Sequence, residues 1–224
     1  MEGAEPVFVV LLGAPGAGKG TQAKYLAKAI SVPHVSSGDI FRENLTLGSE
    51  LGKQASDFLA RGELVPDDIT IAMMRDRLAR SDCAPGAILD GFPRTPNQAV
   101  ALDELLAERN AKVGAALYIK VDEELLIQRL SGRWMCREAG HVYHQMFNPP
   151  KTPGVCDVDG SQLYQRQDDS AETVAHRIKV YLRQTAPVIE HYRARGQIIE
   201  IDGGLPIEEV CRQALTALPE RGGR

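Results

Sequence analysis

Val7-Phe8-Val9-Val10-Leu11-Leu12 runs directly into Gly13-Ala14-Pro15-Gly16-Ala17-Gly18-Lys19-Gly20-Thr21. Six apolar residues without alternation read as a strand buried on both faces, as in a parallel sheet. A helical pattern opens straight after the glycines, with Gln22, Ala23, Leu26 and Ala27 among its first residues. Strand, glycine loop and helix in that order form the setting of a phosphate-binding loop. The glycines let backbone N–H groups wrap an anion, the helix dipole favours negative charge there, and Lys19 has the reach for distal phosphates. The spacing Gly13-x4-Gly18-Lys19 fits. Gly20 stands where the general pattern has Ser or Thr, and the hydroxyl follows at Thr21. The competing reading, a glycine-proline turn with a lysine by chance, explains the motif but not its context. The loop implies that phosphate is held, not what is done with it.

Working outward, short strands are expected at 33–36, 87–90, 115–121 and 197–202, each followed by helical material. With 7–12 they make five, which predicts an α/β fold, a three-layer sandwich around a parallel five-stranded sheet. Ligands bind such sheets beyond the carboxyl ends of the strands, where Lys19, Asp90, Arg94 and Asp202 fall. Residues 36–65 read as short helices and turns, a helical flap in which Ser37 or Asp39 would cap the first helix. Residues 132–169 change texture, with prolines at 149, 150 and 153 and glycines at 132, 140, 154 and 160. A small β-rich insert fits them better than a structureless loop of that length. A long helix follows from Ser170, with a break or kink expected at Pro187, and the 222–224 tail is expected to be disordered. The chain thus reads as one domain over 1–224, interrupted by two inserts.

Bulk properties narrow the function by exclusion. The 224 residues carry a net charge of −4, so no broad cationic surface for nucleic acid or an anionic membrane is indicated. No apolar run approaches the roughly 20 residues of a membrane span, and the acidic start is unlike a secretory leader. Four irregularly spaced cysteines are too few for a disulfide scaffold, and a cytoplasmic monomer is the default expectation. Cys83 and Cys211 read as packing residues.

Arginines supply the next constraint. Arg42, Arg94, Arg129, Arg133, Arg166 and Arg177 lie in the flap, just past a strand end, or in and around the second insert. A single arginine is ordinarily a solvated side chain. Together they match phosphoryl transfer, in which many donors neutralise charge moving between two phosphates. Asp90 ends a buried strand, where an acid can orient water on Mg²⁺; helix capping is its plainer reading. Gln98 offers an amide able to pair with a purine edge.

These stretches resemble the adenylate kinase family, long-lid bacterial type, over about 7–218. The resemblance rests on residues 13–21, Ser36-Ser37-Gly38-Asp39-Ile40-Phe41-Arg42, Leu89-Asp90-Gly91-Phe92-Pro93-Arg94, Val142-Tyr143-His144 with Phe147-Asn148-Pro149-Pro150, and Tyr164-Gln165-Arg166-Gln167-Asp168-Asp169. It implies the reaction ATP + AMP ⇌ 2 ADP with Mg²⁺, an AMP-binding flap at 36–65 and an ATP lid at 132–169. It implies that Gly13, Ala14, Pro15, Gly16, Ala17, Gly18, Lys19, Gly20 and Thr21 cradle ATP phosphates. Arg129 would then pack on the ATP adenine, Arg133 meet its phosphates, Val142 and Tyr143 touch it from the lid, and Leu205 lie by its base. Ser37, Arg42, Gly91, Phe92, Pro93, Arg94 and Gln98 would hold AMP, with Glu63, Leu64 and Val65 lining its pocket. Arg166 and Arg177 would span the reacting phosphates, steered by Asp168 and Asp169. The catalytic set so implied is Lys19, Asp90, Arg94, Arg133, Arg166 and Arg177. Ser37 replaces the Thr of many members and keeps the hydroxyl.

The lid departs from its relatives more informatively. Many carry a zinc site of four cysteines, or three and an aspartate, on two knuckles. Here the knuckles are Cys136-x-x-Ala139 and Cys156-x-x-Asp159, so one ligand is missing and His141 is the candidate replacement. Cys136, His141, Cys156 and Asp159 would suit tetrahedral zinc. The alternatives are a metal-free polar cluster and a Cys136–Cys156 disulfide. Two other functions compete with the leading one: a related nucleoside monophosphate kinase with another base, and a nucleotide-binding module without turnover.

Overall fold

The computed structural model describes residues 5–218. The expected disorder of the 222–224 tail falls outside them, as do residues 1–4. Strand β1 (Val7–Leu12) lies at the centre of a five-stranded sheet with β2 (His34–Ser36), β3 (Gly86–Asp90), β4 (Val113–Lys120) and β8 (Ile198–Asp202). Their order is β2-β3-β1-β4-β8, and every pairing is parallel. Val9 and Val10 are fully buried, which is why this strand shows no alternation. Its two faces serve different clusters. Val10 and Leu12 pack with Leu89, Phe92, Leu102 and Tyr192, while Val9 and Leu11 pack with Leu26, Leu117 and Val210.

Helices α1 (Lys19–Ala29), α4 (Asp67–Leu78), α5 (Pro96–Ala107), α6 (Glu123–Ser131), α7 (Ala171–Val180), α8 (Ala186–Arg193) and α9 (Ile207–Ala217) flank the sheet. The flap is α2 (Ser37–Thr46) and α3 (Glu50–Arg61), helical as expected. Its cap is neither Ser37 nor Asp39: the Ser36 hydroxyl accepts from Asp39 N at 3.2 Å. The strand's last residue is extended, and that conformation lets an N-cap side chain turn back on the helix. The chain between α7 and α8 takes a π-helical turn over Tyr181–Thr185, immediately before Pro187. Pro187 has no N–H to donate, so the ladder is interrupted where the sequence predicts.

The second insert is a three-stranded antiparallel sheet, β5 (Arg133–Cys136), β6 (Val142–His144) and β7 (Leu163–Tyr164), in the order β6-β5-β7. Its core is small: Cys136, Tyr143 and Cys156, with Trp134 and Leu163 against them. Among the described residues no helix is long and apolar enough to cross a membrane.

Candidate active site

Helix α1 begins without a side-chain cap; Gly18 precedes it in a left-handed conformation. The first-turn N–H groups are therefore free for an anion, as a phosphate loop requires. Gly16 has φ +87°, and a Cβ there would stand 2.8 Å from Leu126 O, so only glycine lets the loop pass under α6. Lys19 Nζ donates to Gly13 O at 2.8 Å and Ala14 O at 3.0 Å. A Cβ on Gly20 would lie 3.3 Å from Asp90 Oδ2, so a side chain at the usual Ser/Thr position would press on that carboxylate. Asp90 also faces His34 Nε2 at 3.3 Å. Burial opposes its charge, but the His34 bond and Lys19 prevail and hold the carboxyl below its ordinary range.

Across the cleft, the turn after β3 builds a second wall. Ser37 Oγ donates to Gly91 O at 2.6 Å, and Arg94 Nε donates to the same carbonyl at 2.8 Å. Gly91 has φ +76°, and a Cβ would come 2.7 Å from Arg94 Nη2 and 2.9 Å from Ser37 Oγ. Gln98 is 1 % exposed, and its Oε1 accepts from Arg94 N at 2.8 Å. One cleft is lined by Gly13, Pro15 and Lys19 from the loop and by Ser37, Arg42, Gly62 to Val65, Gly91, Pro93, Arg94 and Gln98 from the other wall. Asp168 and Arg177 close it, so segments far apart in sequence share a single space.

Charge in that space does not balance. Among the described residues, Lys19, Arg42, Arg94, Arg133, Arg166 and Arg177 are grouped with Asp39, Asp90, Asp168 and Asp169, while Glu63, also in the lining, is paired with Arg61 at 3.0 Å. Arg133 Nε bonds Asp169 at 2.8 Å, and Arg177 Nη1 lies 3.1 Å from both Asp168 and Asp169. Arg42 holds Asp39 at 2.6 Å, and Arg166 approaches the same carboxylate from the lid side at 3.8 Å. Among the described residues, Arg94 and Lys19 have no acid within ion-pair distance, and Arg166 Nε is buried without a partner. Burial, then crowding by Arg177, brings Arg94 down to about 10. Burial, with Arg42 and Arg133 nearby, does the same to Arg166, also to about 10. Burial takes Lys19 to about 8 against the pull of Asp90. Buried cations this poorly compensated are stabilised by a polyanion, and phosphates supply it.

The matches to known proteins agree with this geometry. A family model described as adenylate kinase matches residues 11–197. The chain is 50 % identical over 211 residues to the adenylate kinase of Streptomyces avermitilis, covering 94 % of this chain and 96 % of that protein. It is 51 % identical over 210 residues to that of Acidothermus cellulolyticus, covering 94 % and 97 %. It is 49 % identical over 209 residues to that of Methanocella arvoryzae, covering 93 % and 97 %. The chain belongs to the adenylate kinase family.

Arg129, Val142, Tyr143 and Leu205, also expected at the site, are not among the residues that line the cleft. Arg129 Nη1 donates to Gly203 O at 2.8 Å, which ties α6 to the turn carrying Leu205. Its guanidinium stands 6.0 Å from the Phe147 ring. Val142 is exposed, but Tyr143 is 5 % exposed and turns its side chain into the lid. There its hydroxyl accepts from Asp157 N at 2.7 Å and lies 3.4 Å from Cys156 Sγ. The alternation of β6 puts these neighbours on opposite faces.

The ligand atoms of Cys136, His141, Cys156 and Asp159 lie within 4.8 Å of one another, so the quartet read from spacing assembles. Cys136 and Cys156 are free thiols, which removes the disulfide alternative. The knuckles repeat one backbone pattern. Gly140 N donates to Cys136 O and Cys136 N to His141 O; Gly160 N donates to Cys156 O and Cys156 N to Ser161 O. His141 and Ser161 thus hold equivalent places, and Ser161 Oγ is 3.0 Å from Cys136 Sγ. Burial and Asp159 oppose a Cys136 thiolate, but Ser161 and the backbone N–H groups bring it down to about 7.

Sequence reading passed over several residues of the cleft. Thr70, Val180, Tyr181 and Thr185 line it, and His34 braces Asp90. Tyr181 and Thr185 bound the π-helical turn, and Pro187 was the one sequence signal near them. His34 carried no signal: a lone histidine in a short strand acquires meaning from its partner 56 residues away.

Proposed function

We propose that this chain transfers a phosphoryl group directly between nucleotides, ATP + AMP ⇌ 2 ADP, with each side chain in the role set out below. The observation that carries it is the single cleft shared by an uncapped phosphate loop and a second wall bearing Arg94, with more cations than carboxylates between them. A phosphate loop alone serves hydrolases as well. A second anion-binding wall facing it calls for two phosphorylated substrates.

In this reading the AMP phosphate is the nucleophile, so no side-chain nucleophile is needed. Lys19 leaves the loop carbonyls for the ATP phosphates, joined by the N–H groups of residues 13–21. Arg42 and Arg94 orient the AMP phosphate for in-line attack. Arg133, Arg166 and Arg177 stabilise charge on the moving group, and their aspartates hold them ready. Arg129 and Leu205 flank the ATP base, with Val142 above; Tyr143 contributes through its lid packing and backbone. Ser37, Phe92, Pro93, Gln98 and residues 63–65 shape the AMP side. Asp90, ionised and braced by His34, fits the water shell of Mg²⁺, an ion that neutralises ATP phosphate oxygens when bound. The flap at 36–65 and the lid at 132–169 move against the rest and exclude water in the closed state.

In the lid, Cys136, His141, Cys156 and Asp159 fit zinc by donor type and mutual distance. We read zinc there as a clamp between two knuckles. The acidic net charge supports a chain that binds neither nucleic acid nor an anionic membrane, and we read it as a cytoplasmic monomer.

Phosphoryl transfer measured across a panel of acceptors and donors tests the whole reading. AMP with ATP is expected to lead. A tenfold preference for UMP or CMP would move the chain to another kinase of this type, and absence of transfer with retained ATP binding would make it a binding module.

A further inference from the structure

Gln98 lines the cleft; Asp67 does not, yet it is bonded to Gln98. Gln98 Nε2 donates to Asp67 Oδ1 at 2.8 Å, and Gln98 Oε1 accepts from Arg94 N at 2.8 Å. Thr95 Oγ1 donates to the same carboxylate, at 3.0 and 2.9 Å from its two oxygens, and its own oxygen accepts from Gln98 N at 3.1 Å. The two partners of the amide have opposite and fixed polarity. A backbone N–H can only donate, and a carboxylate can only accept. The chemistry of the partners therefore assigns Oε1 and Nε2. A flipped amide would set N–H against N–H at Arg94 and oxygen against carboxylate at Asp67, both in a buried place.

One lone pair of Oε1 and one hydrogen of Nε2 remain. Adenine presents a donor at N6 and an acceptor at N1, and that pair matches. A 6-oxopurine presents an acceptor at O6 and a donor at N1, which is the reverse. We propose that Asp67 is a positioning residue for acceptor specificity: by locking the Gln98 amide in one orientation it selects 6-aminopurine over 6-oxopurine nucleotides. The inference rests on Gln98 facing the acceptor base, as read above.

IMP is the discriminating substrate, because it matches AMP in shape and differs only along this edge. Asp67→Asn keeps the size of the side chain but can either donate to or accept from the amide, so one of the two contacts that fix the orientation is lost and only the Arg94 N–H still opposes the flip. The ratio of kcat/KM for AMP over IMP is expected to fall about tenfold in Asp67→Asn, through a lower value for AMP and a higher one for IMP, with the KM for ATP unchanged. The ratio is taken on one preparation, so partial unfolding cancels from it, and Asp67→Ser serves if Asp67→Asn does not fold. Gln98→Ala is measured alongside and is expected to move the ratio further toward one. If Gln98→Ala collapses the ratio and both Asp67 variants leave it within twofold of wild type, the positioning role of Asp67 is overturned and the Gln98 reading stands. If Gln98→Ala leaves the ratio unchanged, the reading of Gln98 fails, and the role of Asp67 fails with it.

Discussion

The cleft and the lid knuckles are both polar clusters gathered from distant parts of the chain, and they are built on opposite principles. In the cleft the ionic network is unfinished: among the described residues Lys19 and Arg94 have no carboxylate in ion-pair range, and Arg166 Nε is buried without a partner. In the lid every group of the quartet already faces another of them, Cys136 with Asp159 at 3.0 Å, His141 with Asp159 at 3.2 Å and Cys156 with His141 at 3.4 Å. An excess of buried like charge is costly until a guest compensates it, so it marks a substrate site. A compact set of mutually facing donors costs little and holds a fold together, with or without an ion.

The strongest way to break this contrast is to remove a cation from the cleft. Lys19→Met or Arg94→Ala is expected to lower kcat by about a thousandfold, the scale of losing a preorganised charge-stabilising group. The melting temperature is expected to hold or rise, because like-charge crowding is relieved; an undiminished rate would refute the roles given. In the lid the expectation is inverted. Purified, unchelated protein should hold about one zinc per chain, and Asp159→Ala or chelation should lower Tm by a few degrees, at about 2–4 °C per kcal/mol for a chain of this size, with kcat changed less than about tenfold. Metal at background level with an unmoved Tm would leave a metal-free cluster.

The pH dependence sharpens the same distinction. The Lys19 pKa of about 8 in the folded protein lies below its ordinary 10.5. Between those values the unfolded chain binds the proton and the folded one sheds it, so this group makes stability rise with pH from about 8 to 10.5. Denaturation across that range should give wild type a steeper rise than Lys19→Met, while kcat/KM of wild type falls above about pH 8. Parallel stability curves would show that Lys19 is not depressed. The smallest expected effect concerns the tie between the regions. Lys24 Nζ donates to Gly140 O at 3.0 Å, joining α1 to the first knuckle. The bond is exposed, so Lys24→Ala should raise the KM for ATP only two- to fivefold, and no change would show that the contact does not favour closure.

Local rules made much of the molecule legible. Val7–Leu12 had to be a strand with both faces covered, and a glycine loop ahead of a helix had to leave N–H groups for an anion. The knuckle spacing brought Cys136, His141, Cys156 and Asp159 into one cluster, since each short turn carries its own geometry. Helix starts were less legible. Ser36, Ser37 and Asp39 all have capping side chains, and only the end of β2 decides which residue is extended when the helix begins. Tyr143 was readable as a lid residue, but not as one turned inward, because a three-residue strand is too short for alternation to fix its face.

The sequence by itself determined the layered α/β architecture, the phosphate loop, the helical flap, the β-rich lid and the identities of the cleft arginines. These follow from burial periodicity, glycine and proline positions and residue type, all of which act within a few residues of chain. Only the tertiary structure decided how those arginines are apportioned among Asp39, Asp168 and Asp169, that His34 braces Asp90, and that Asp67 fixes the amide of Gln98 from 31 residues away. Such pairings depend on where separate strands end along one sheet edge, and a hydrogen bond gained or lost there turns on a fraction of an ångström that no local pattern encodes.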